Sequence, residues 1–323
     1  MFMHEQSLSR RIRPQTIFIL ALFIVGLYVV LPQISSFHSS IKYLTSPKIG
    51  YLLVALTFIY LTFFEAGLSY LLLAFRKLNL ARMFFIQNAV MFVNNLLPAG
   101  IGGLGANFAY LRGKKHTAPQ AASMVYANNT IGLIGHMLIL FVVLSLSPKK
   151  DFVPSTESKL VHGILIVLGV TLLIILLAAV IFGRKKVRKF LGDALTQLAS
   201  YRDRKLKLFF VLLVQMSLTL SNVACLFFAE RSVGVHLSFS STLIIFTLGS
   251  SIKNATPTPG GLGGYEAGLL AGFAAYKVDA SQSLAAVLIY RLVSYWIPLL
   301  TGLVSFIYNE RKGQFEVATS GSG

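Results

Sequence analysis

The chain has 323 residues, of which 55% are hydrophobic and 12% charged, with a mean hydropathy of +0.72. A soluble domain carries about a quarter charged residues, so this composition excludes one and points to a polytopic membrane protein. The net charge of +18 falls between the apolar runs, where it reads as the positive-inside bias that orients a membrane protein; attraction to anionic headgroups is compatible with it, and nucleic acid is not an expected partner.

In chain order, residues 17–34 form a first span behind Arg10, Arg11 and Arg13, with no small-residue cleavage pattern of a removable signal after it. A polar stretch at 35–48 leads to a second span at 49–75, interrupted by Glu65. Arg76, Lys77 and Arg82 form a basic turn. Residues 83–111 are uncharged but broken at Pro98 and its glycines, and Arg112, Lys114 and Lys115 follow. Residues 118–147 are apolar and carry Asn128, Asn129 and His136. Residues 160–183 form the most hydrophobic span, and 184–207 hold nine basic residues against Asp193 and Asp203. Spans follow at 208–229 and 281–308, the latter containing Arg291, with a second broken segment at 239–276 between them. Cys225 stands alone in an apolar run, which excludes a disulfide framework or a cysteine metal site.

The two broken segments organise the chain. Residues 94–105 read NNLLPAGIGGLG and residues 253–266 read KNATPTPGGLGGYE. Proline removes a backbone donor, and unpaired peptide groups in hydrocarbon cost several kcal/mol each, so such backbone survives at membrane depth only inside protein or beside water. Two interrupted segments at corresponding places in two halves point to a binding site of transporter type. If both crossed the membrane fully, the nine basic residues of 184–207 would face outward, against the charge rule. If both are re-entrant, all the basic loops share one side. The expected fold is therefore all-α, with about six full spans and two re-entrant hairpins in an inverted repeat. Residues 1–319 form a single domain, with a first repeat at about 76–183, a linker at 184–207 and a second repeat at about 208–308. Residues 320–323, Ser-Gly-Ser-Gly, read as an artificial tail.

No Ser-His-Asp set, helical pair of carboxylates or His-x-x-x-His spacing occurs, and no Gly-Lys-Ser/Thr follows the glycine runs. No enzyme activity, cofactor or metal is expected. Glu266 and Arg291 are ionisable groups inside apolar segments, which marks a functional site by default. Glu266 serves either that site or a structural role, capping its helix or pairing with Arg291 or Lys253. Arg291 and Lys253 suit a lipid phosphate, which a guanidinium matches bidentately. Asn94, Asn95, Asn128, Asn129 and Asn254 bind a headgroup or satisfy the backbone freed at the breaks. Pro98, Gly100, Gly102, Gly103 and Gly105, with Pro257, Pro259, Gly260, Gly261 and Gly263, shape the hairpin backbone by close approach and turns. Glu65 is a buried structural acid or an ion-coupling site, and His136 a hydrogen-bonded core residue. Arg112, with Lys114, Lys115 and 184–189, forms a headgroup surface or simply obeys the charge rule.

The motif at 94–105 followed by Tyr110-Leu111-Arg112, and the run PTPGGLGGYEAGLL at 257–270 continuing through AAVLIYRLVSYWIPLLTGL at 285–303, resemble the lysylphosphatidylglycerol synthase transmembrane family, also called UPF0104, which includes the flippase-like membrane domain of the multiple-peptide-resistance factor. The resemblance covers nearly the whole chain and implies translocation of a lipid, such as aminoacylated phosphatidylglycerol, from the inner to the outer leaflet of the cytoplasmic membrane; the charge rule puts both termini in the cytoplasm. By matching positions, the second motif falls on 257–266 and on Tyr290-Arg291. Two departures stand out. The aminoacyltransferase domain is not in this sequence, so lysyl-lipid synthesis is not expected. The acidic-Arg pair expected after the first motif reads Asn128-Asn129, which leaves the lipid open among phospholipids and polyprenyl-linked lipids. Expected partners are membrane lipids, with a separate lipid-modifying enzyme and a second copy of the chain as further ones. Two other functions fit the same sequence: a non-transporting scaffold for a lipid or glycan enzyme, and an ion-coupled small-solute transporter using Glu65.

Overall fold

The computed structural model describes residue 43 and residues 47–97, 100–146, 201, 204–256 and 258–315. The expected spans at 17–34 and 160–183, most of the linker at 184–207, Pro98, Pro257 and the tail at 320–323 lie outside the described residues. Everything described is helix, turn or loop. The helices are α1 Ile49–Leu73, α2 Leu80–Leu96, α3 Ile101–Gly113, α4 Ala118–Leu146, α5 Lys205–Ser232, α6 Phe239–Ala255, α7 Gly264–Ala275 and α8 Ala280–Arg311, the last interrupted by a π-helical turn at Leu292–Trp296.

Length sorts these helices into two kinds. A transmembrane helix needs about 20 apolar residues to cross a core of about 30 Å, and α1, α4, α5 and α8 meet that requirement. Helices α3 and α7, with 13 and 12 residues, rise only about 20 Å at 1.5 Å per residue. Each is the second arm of a broken segment, packed against the arm before it. The helices end where the sequence removes helix-compatible backbone, at Gly100 in the first segment and at the Pro-Gly turn at 259–261 in the second.

The two hairpins open toward opposite ends of the bundle. The ends of the first meet where the Arg76 N–H donates to His116 Nε2 at 3.3 Å. The same end gathers the start of α5, since Tyr201 Oη donates to the Leu73 carbonyl at 3.1 Å, and the end of α8, since Lys114 Nζ donates to Gln314 at 2.5 Å. At the opposite end, the Lys48 N–H donates to the Ser232 carbonyl at 3.0 Å, joining the start of α1 to the end of α5. The second hairpin begins there, tied by Thr242 Oγ1 donating to Glu230 at 2.8 Å. It also ends there, with Gln282 at the start of α8 facing Gly234.

Charge follows this polarity. Arg76, Lys77, Arg82, Arg112, Lys114, Lys115, Arg204, Lys205, Lys207, Arg311 and Lys312 lie at the first end, against Lys48, Arg231 and Lys277 at the other. Among the described residues, two larger apolar cores and a smaller cluster of Leu262, Tyr295 and Leu299 fill the bundle. One, with Met83, Ile86, Tyr110 and Met124, surrounds the first hairpin; the other, with Leu243, Leu269, Phe273 and Val287, surrounds the second. Helices α1 and α5 run between them and contribute to both. Side chains such as Leu53, Phe85, Leu133, Phe141, Phe209 and Val304 are exposed on the outer face, an apolar surface suited to lipid rather than water.

Candidate functional site

At the first break, Gly100 has φ +73°, a left-handed conformation that costs glycine little, and α3 starts immediately after it. The Gly103 N–H, one of the donors every helix start leaves unpaired, donates to Asn94 Oδ1 at 3.0 Å. Asn107 Nδ2 donates to the Gly103 carbonyl at 2.9 Å and its oxygen accepts from Gln87 Nε2 at 2.9 Å, tying the two arms together. A Cβ on Gly102 would run into the Val93 carbonyl, so the arms approach as closely as backbone allows. Asn94 thus satisfies freed backbone while also facing the cavity described below.

The second break is a tight turn in which Gly260 has φ +59° and Gly261 φ +66°. A Cβ on Gly260 would strike the Tyr295 ring, and one on Gly261 the Lys253 side chain. The turn is therefore moulded around two side chains of the site. Beyond it, Glu266 reaches back in the first turn of α7, and its Oε2 accepts the Gly263 N–H at 2.7 Å. Its other oxygen lies 2.6 Å from Arg291 Nε. The pair is buried, and the Nε–H is not aimed along that contact; the Nη2 atom is also buried with no hydrogen-bond acceptor among the described residues. The guanidinium lies 4.2 Å from the centroid of the Tyr295 ring and 5.4 Å from that of Tyr265. Lys253 Nζ sits 5.3 Å from the Tyr265 centroid, and the Tyr265 and Tyr290 hydroxyls are 2.8 Å apart.

The π-helical turn follows Arg291 directly. Proline has no N–H and its ring crowds the carbonyl four residues back, so Pro298 cannot pair with Ser294. The Ile297 N–H instead bonds the Leu292 carbonyl, the wider spacing that defines a π turn, a feature frequent at functional sites. It sets Ser294 and Tyr295 on the same wall as Arg291.

These elements line a half-open cavity of about 540 Å³ between the hairpins, walled also by α1, α4, α5 and α8. Of the residues singled out in the sequence, Asn94, Gly100, Gly103, Asn129, Lys253, Asn254, Tyr290 and Arg291 line it, as does Asn128. Glu266 stands behind Arg291 rather than on the wall. Asn95 is buried beside the break, with neither side-chain atom bonded among the described residues. Arg112 lies at the basic end, donating to the His116 carbonyl at 3.0 Å. Pro259, Gly261 and Gly263 shape the second turn, whereas Gly102 and Gly105 lie inside α3, and none of the five lines the cavity. His136 is half-buried beside Phe246, 3.4 Å from Thr247 Oγ1.

Glu65 is buried between α1 and α5. Its Oε1 accepts from Ser217 Oγ at 2.5 Å and Ser221 Oγ at 3.1 Å, and its Oε2 is buried without a partner among the described residues. Its neighbours Thr62, Phe63 and Ala66 reach the cavity, while Glu65 faces away. Gln87, Asn107, Asn222, Tyr265, Ser294 and Tyr295 were not singled out in the sequence, yet all line the cavity. Pro298, four residues after Ser294, was the available signal for the last two. Among the described residues no three His, Cys, Asp or Glu side chains gather as a metal site.

The fold and cavity define a polytopic α-helical membrane protein with an internal polar site between two broken helical hairpins. The profile of the lysylphosphatidylglycerol synthase TM region matches residues 18–302, and the chain belongs to that family. It is 26% identical over 227 residues to a UPF0104 membrane protein of Methanocaldococcus jannaschii, covering 68% of this chain and 95% of that one. It is 23% identical over 230 residues to a phosphatidylglycerol lysyltransferase of Staphylococcus haemolyticus, covering 70% of this chain but 25% of that protein. A phosphatidylglycerol lysyltransferase of Staphylococcus aureus is 31% identical over 85 residues, 10% of its length. The chain thus matches only a minor part of the lysyltransferases.

Proposed function

We propose that this protein binds a membrane lipid by its headgroup in the cavity and carries that headgroup across the bilayer while the acyl chains remain in lipid. The observation that carries the reading is a cavity of about 540 Å³ inside an apolar bundle, faced by Arg291 and Lys253. Cations so placed are costly unless they serve a ligand or a pathway, and phosphate is the anionic group that membrane lipids bring to such depth. Helix α3 begins on the cavity wall, so the positive end of its dipole adds to the same field. In this reading the hairpins are re-entrant from opposite membrane faces, as the lengths of α3 and α7 favour, and the basic end is cytoplasmic by the charge rule. Both termini then face the cytoplasm, in the cytoplasmic membrane. The residues on the wall bind and orient, and no covalent step is assigned to them. That the phosphatidylglycerol lysyltransferases share this family is consistent with a lipid substrate.

Reconstituted liposomes test this. Labelled phospholipid should lose leaflet asymmetry faster with the protein than without it. A charge-assisted phosphate contact corresponds to about tenfold or more in binding, so Lys253→Ala and Arg291→Ala should each slow exchange by about that factor. Lys253 pairs with no carboxylate among the described residues, so its variant tests the site without breaking the Glu266 pair. Exchange equal to that of protein-free liposomes, or equal in wild type and Lys253→Ala, overturns the reading.

A further inference from the structure

We infer that the headgroup is a phosphate bearing an uncharged, hydroxyl-rich group such as glycerol or a sugar, and not an amine-bearing one; this rests on the lipid-binding reading above and specifies its substrate class. The described wall residues include two cations, Lys253 and Arg291, and no Asp or Glu. Neither nearby carboxylate lies on the wall. Glu266 divides its oxygens between Arg291 and the Gly263 N–H, and Glu65 points to Ser217 and Ser221. An ammonium group in this cavity would share it with two cations of its own sign and find no wall carboxylate among the described residues to pair with.

The wall offers carboxamides instead, and their orientations are fixed by the bonds they already make. Asn94 accepts the Gly103 N–H with its oxygen, and the Asn128 oxygen accepts from Ser69 Oγ at 2.6 Å and Gln215 Nε2 at 2.7 Å. Each therefore keeps its NH₂ for another partner. Asn129 and Asn222 do the reverse. Their Nδ2 atoms donate to the carbonyls of Val125 and Leu218 at 2.8 and 2.9 Å, which leaves each oxygen as an acceptor. The cavity thus pairs spare donors with spare acceptors. A hydroxyl is both donor and acceptor and uses both kinds, whereas an ammonium has donors alone and cannot use the NH₂ groups. Phosphate on Lys253 and Arg291, with hydroxyls among these four asparagines, matches the charge and the spare donors and acceptors of these wall residues in kind.

The full-length protein in detergent, equilibrated with an equimolar mixture of chain-matched phosphatidylglycerol, phosphatidic acid, phosphatidylethanolamine and lysyl-phosphatidylglycerol, tests this by native mass spectrometry of retained lipid. Phosphatidylglycerol should be retained about tenfold over the two amine-bearing lipids and severalfold over phosphatidic acid, the scale that one or two well-placed hydrogen bonds supply. Asn94→Asp keeps the bond to Gly103 and replaces the spare donor with a carboxylate oxygen, so it should shift retention toward lysyl-phosphatidylglycerol. Preference for either amine-bearing lipid in the wild type overturns the inference while leaving the lipid reading intact. Equal retention of phosphatidic acid and phosphatidylglycerol overturns the hydroxyl assignment. No shift in Asn94→Asp overturns the account of amine exclusion. Retention in bulk proportion by wild type and Lys253→Ala alike defeats the lipid reading itself.

Discussion

Glu266 holds the second broken hairpin and the last helix together with one carboxylate: one oxygen lies 2.6 Å from Arg291 Nε and the other accepts the Gly263 N–H at 2.7 Å. Function and folding meet in this group. It fixes the start of α7 against the turn that carries Gly260 and Gly261, and it supplies the counter-charge that allows a guanidinium to stand at the cavity wall.

Removing one partner of a buried pair strands the other, at a cost of about 3–5 kcal/mol. Glu266→Ala should therefore unfold at a markedly lower temperature in detergent. Glu266→Gln should lose less, because its amide oxygen still accepts the Gly263 N–H. The double variant Glu266→Ala with Arg291→Met should recover much of the loss, since no uncompensated charge remains. A strictly additive double variant would show that the two side chains do not stabilise each other.

The glycines of the two motifs are not equivalent, although the sequence writes them alike. Gly260 has a left-handed φ of +59° and its missing Cβ is occupied by the Tyr295 ring. Gly105 lies within α3 with nothing within 4 Å of its Cβ position. Gly260→Ala should cost more than the roughly 1–2 kcal/mol of a left-handed non-glycine residue, because Tyr295 must also move. Gly105→Ala should be neutral or stabilising by about 0.5–1 kcal/mol through helix propensity. Thermal unfolding of the two variants checks this, and lipid retention should fall only in the first.

This contrast shows how far the sequence could be read. The two breaks, their correspondence and the charged trio Lys253, Glu266 and Arg291 were legible, because proline, glycine and charge are conspicuous in an apolar chain. The helices themselves run close to the expected bounds, with α2 starting a few residues earlier and α8 extending to Arg311. What the sequence left open was which of two roles each polar group takes. Asn94 does both, capping α3 and facing the cavity, and that depends on the distance between arms far more than on local pattern. Tyr265 and Tyr295 were unremarkable aromatic residues until the π turn and the hairpin placed them around Arg291. Glu230, at the end of an apolar span, gave no sign that it would be fully buried against Thr242.

His116 makes stability depend on pH at the basic end. It lies in the loop after α3, where its Nδ1–H donates to the Leu111 carbonyl at 3.1 Å and its Nε2 accepts the Arg76 N–H, so the neutral ring is the bonded form. Burial pushes its pKa below the ordinary 6.5, and the Arg76 charge adds to this, against the opposing bond to Leu111. The folded state thus binds the proton less readily than the unfolded state does. Its contribution to stability is full above about 6.5 and falls as pH drops below that value. Thermal unfolding at pH 7.5 and 5.5 should show a loss in the wild type that shrinks in His116→Gln. An equal loss in both proteins would assign the acid sensitivity elsewhere.

Glu65 is the ionisable group whose two sequence readings lead to different experiments. It lies on the α1–α5 seam, with two serine donors on one oxygen and its face turned from the cavity. The Ser217→Ala, Ser221→Ala double variant leaves that oxygen bare, and a buried unsatisfied group costs about 1–3 kcal/mol. We expect lower thermal stability with an unchanged ranking of retained lipids, because none of these side chains touches the headgroup site. Glu65→Gln keeps an oxygen for both serines and should be milder. If Glu65→Gln instead binds lipid normally but loses a dependence of transport on an imposed pH gradient, Glu65 is the coupling carboxylate and its distance from the cavity is part of the mechanism. If it transports as the wild type does at every imposed gradient, the residue serves the seam alone.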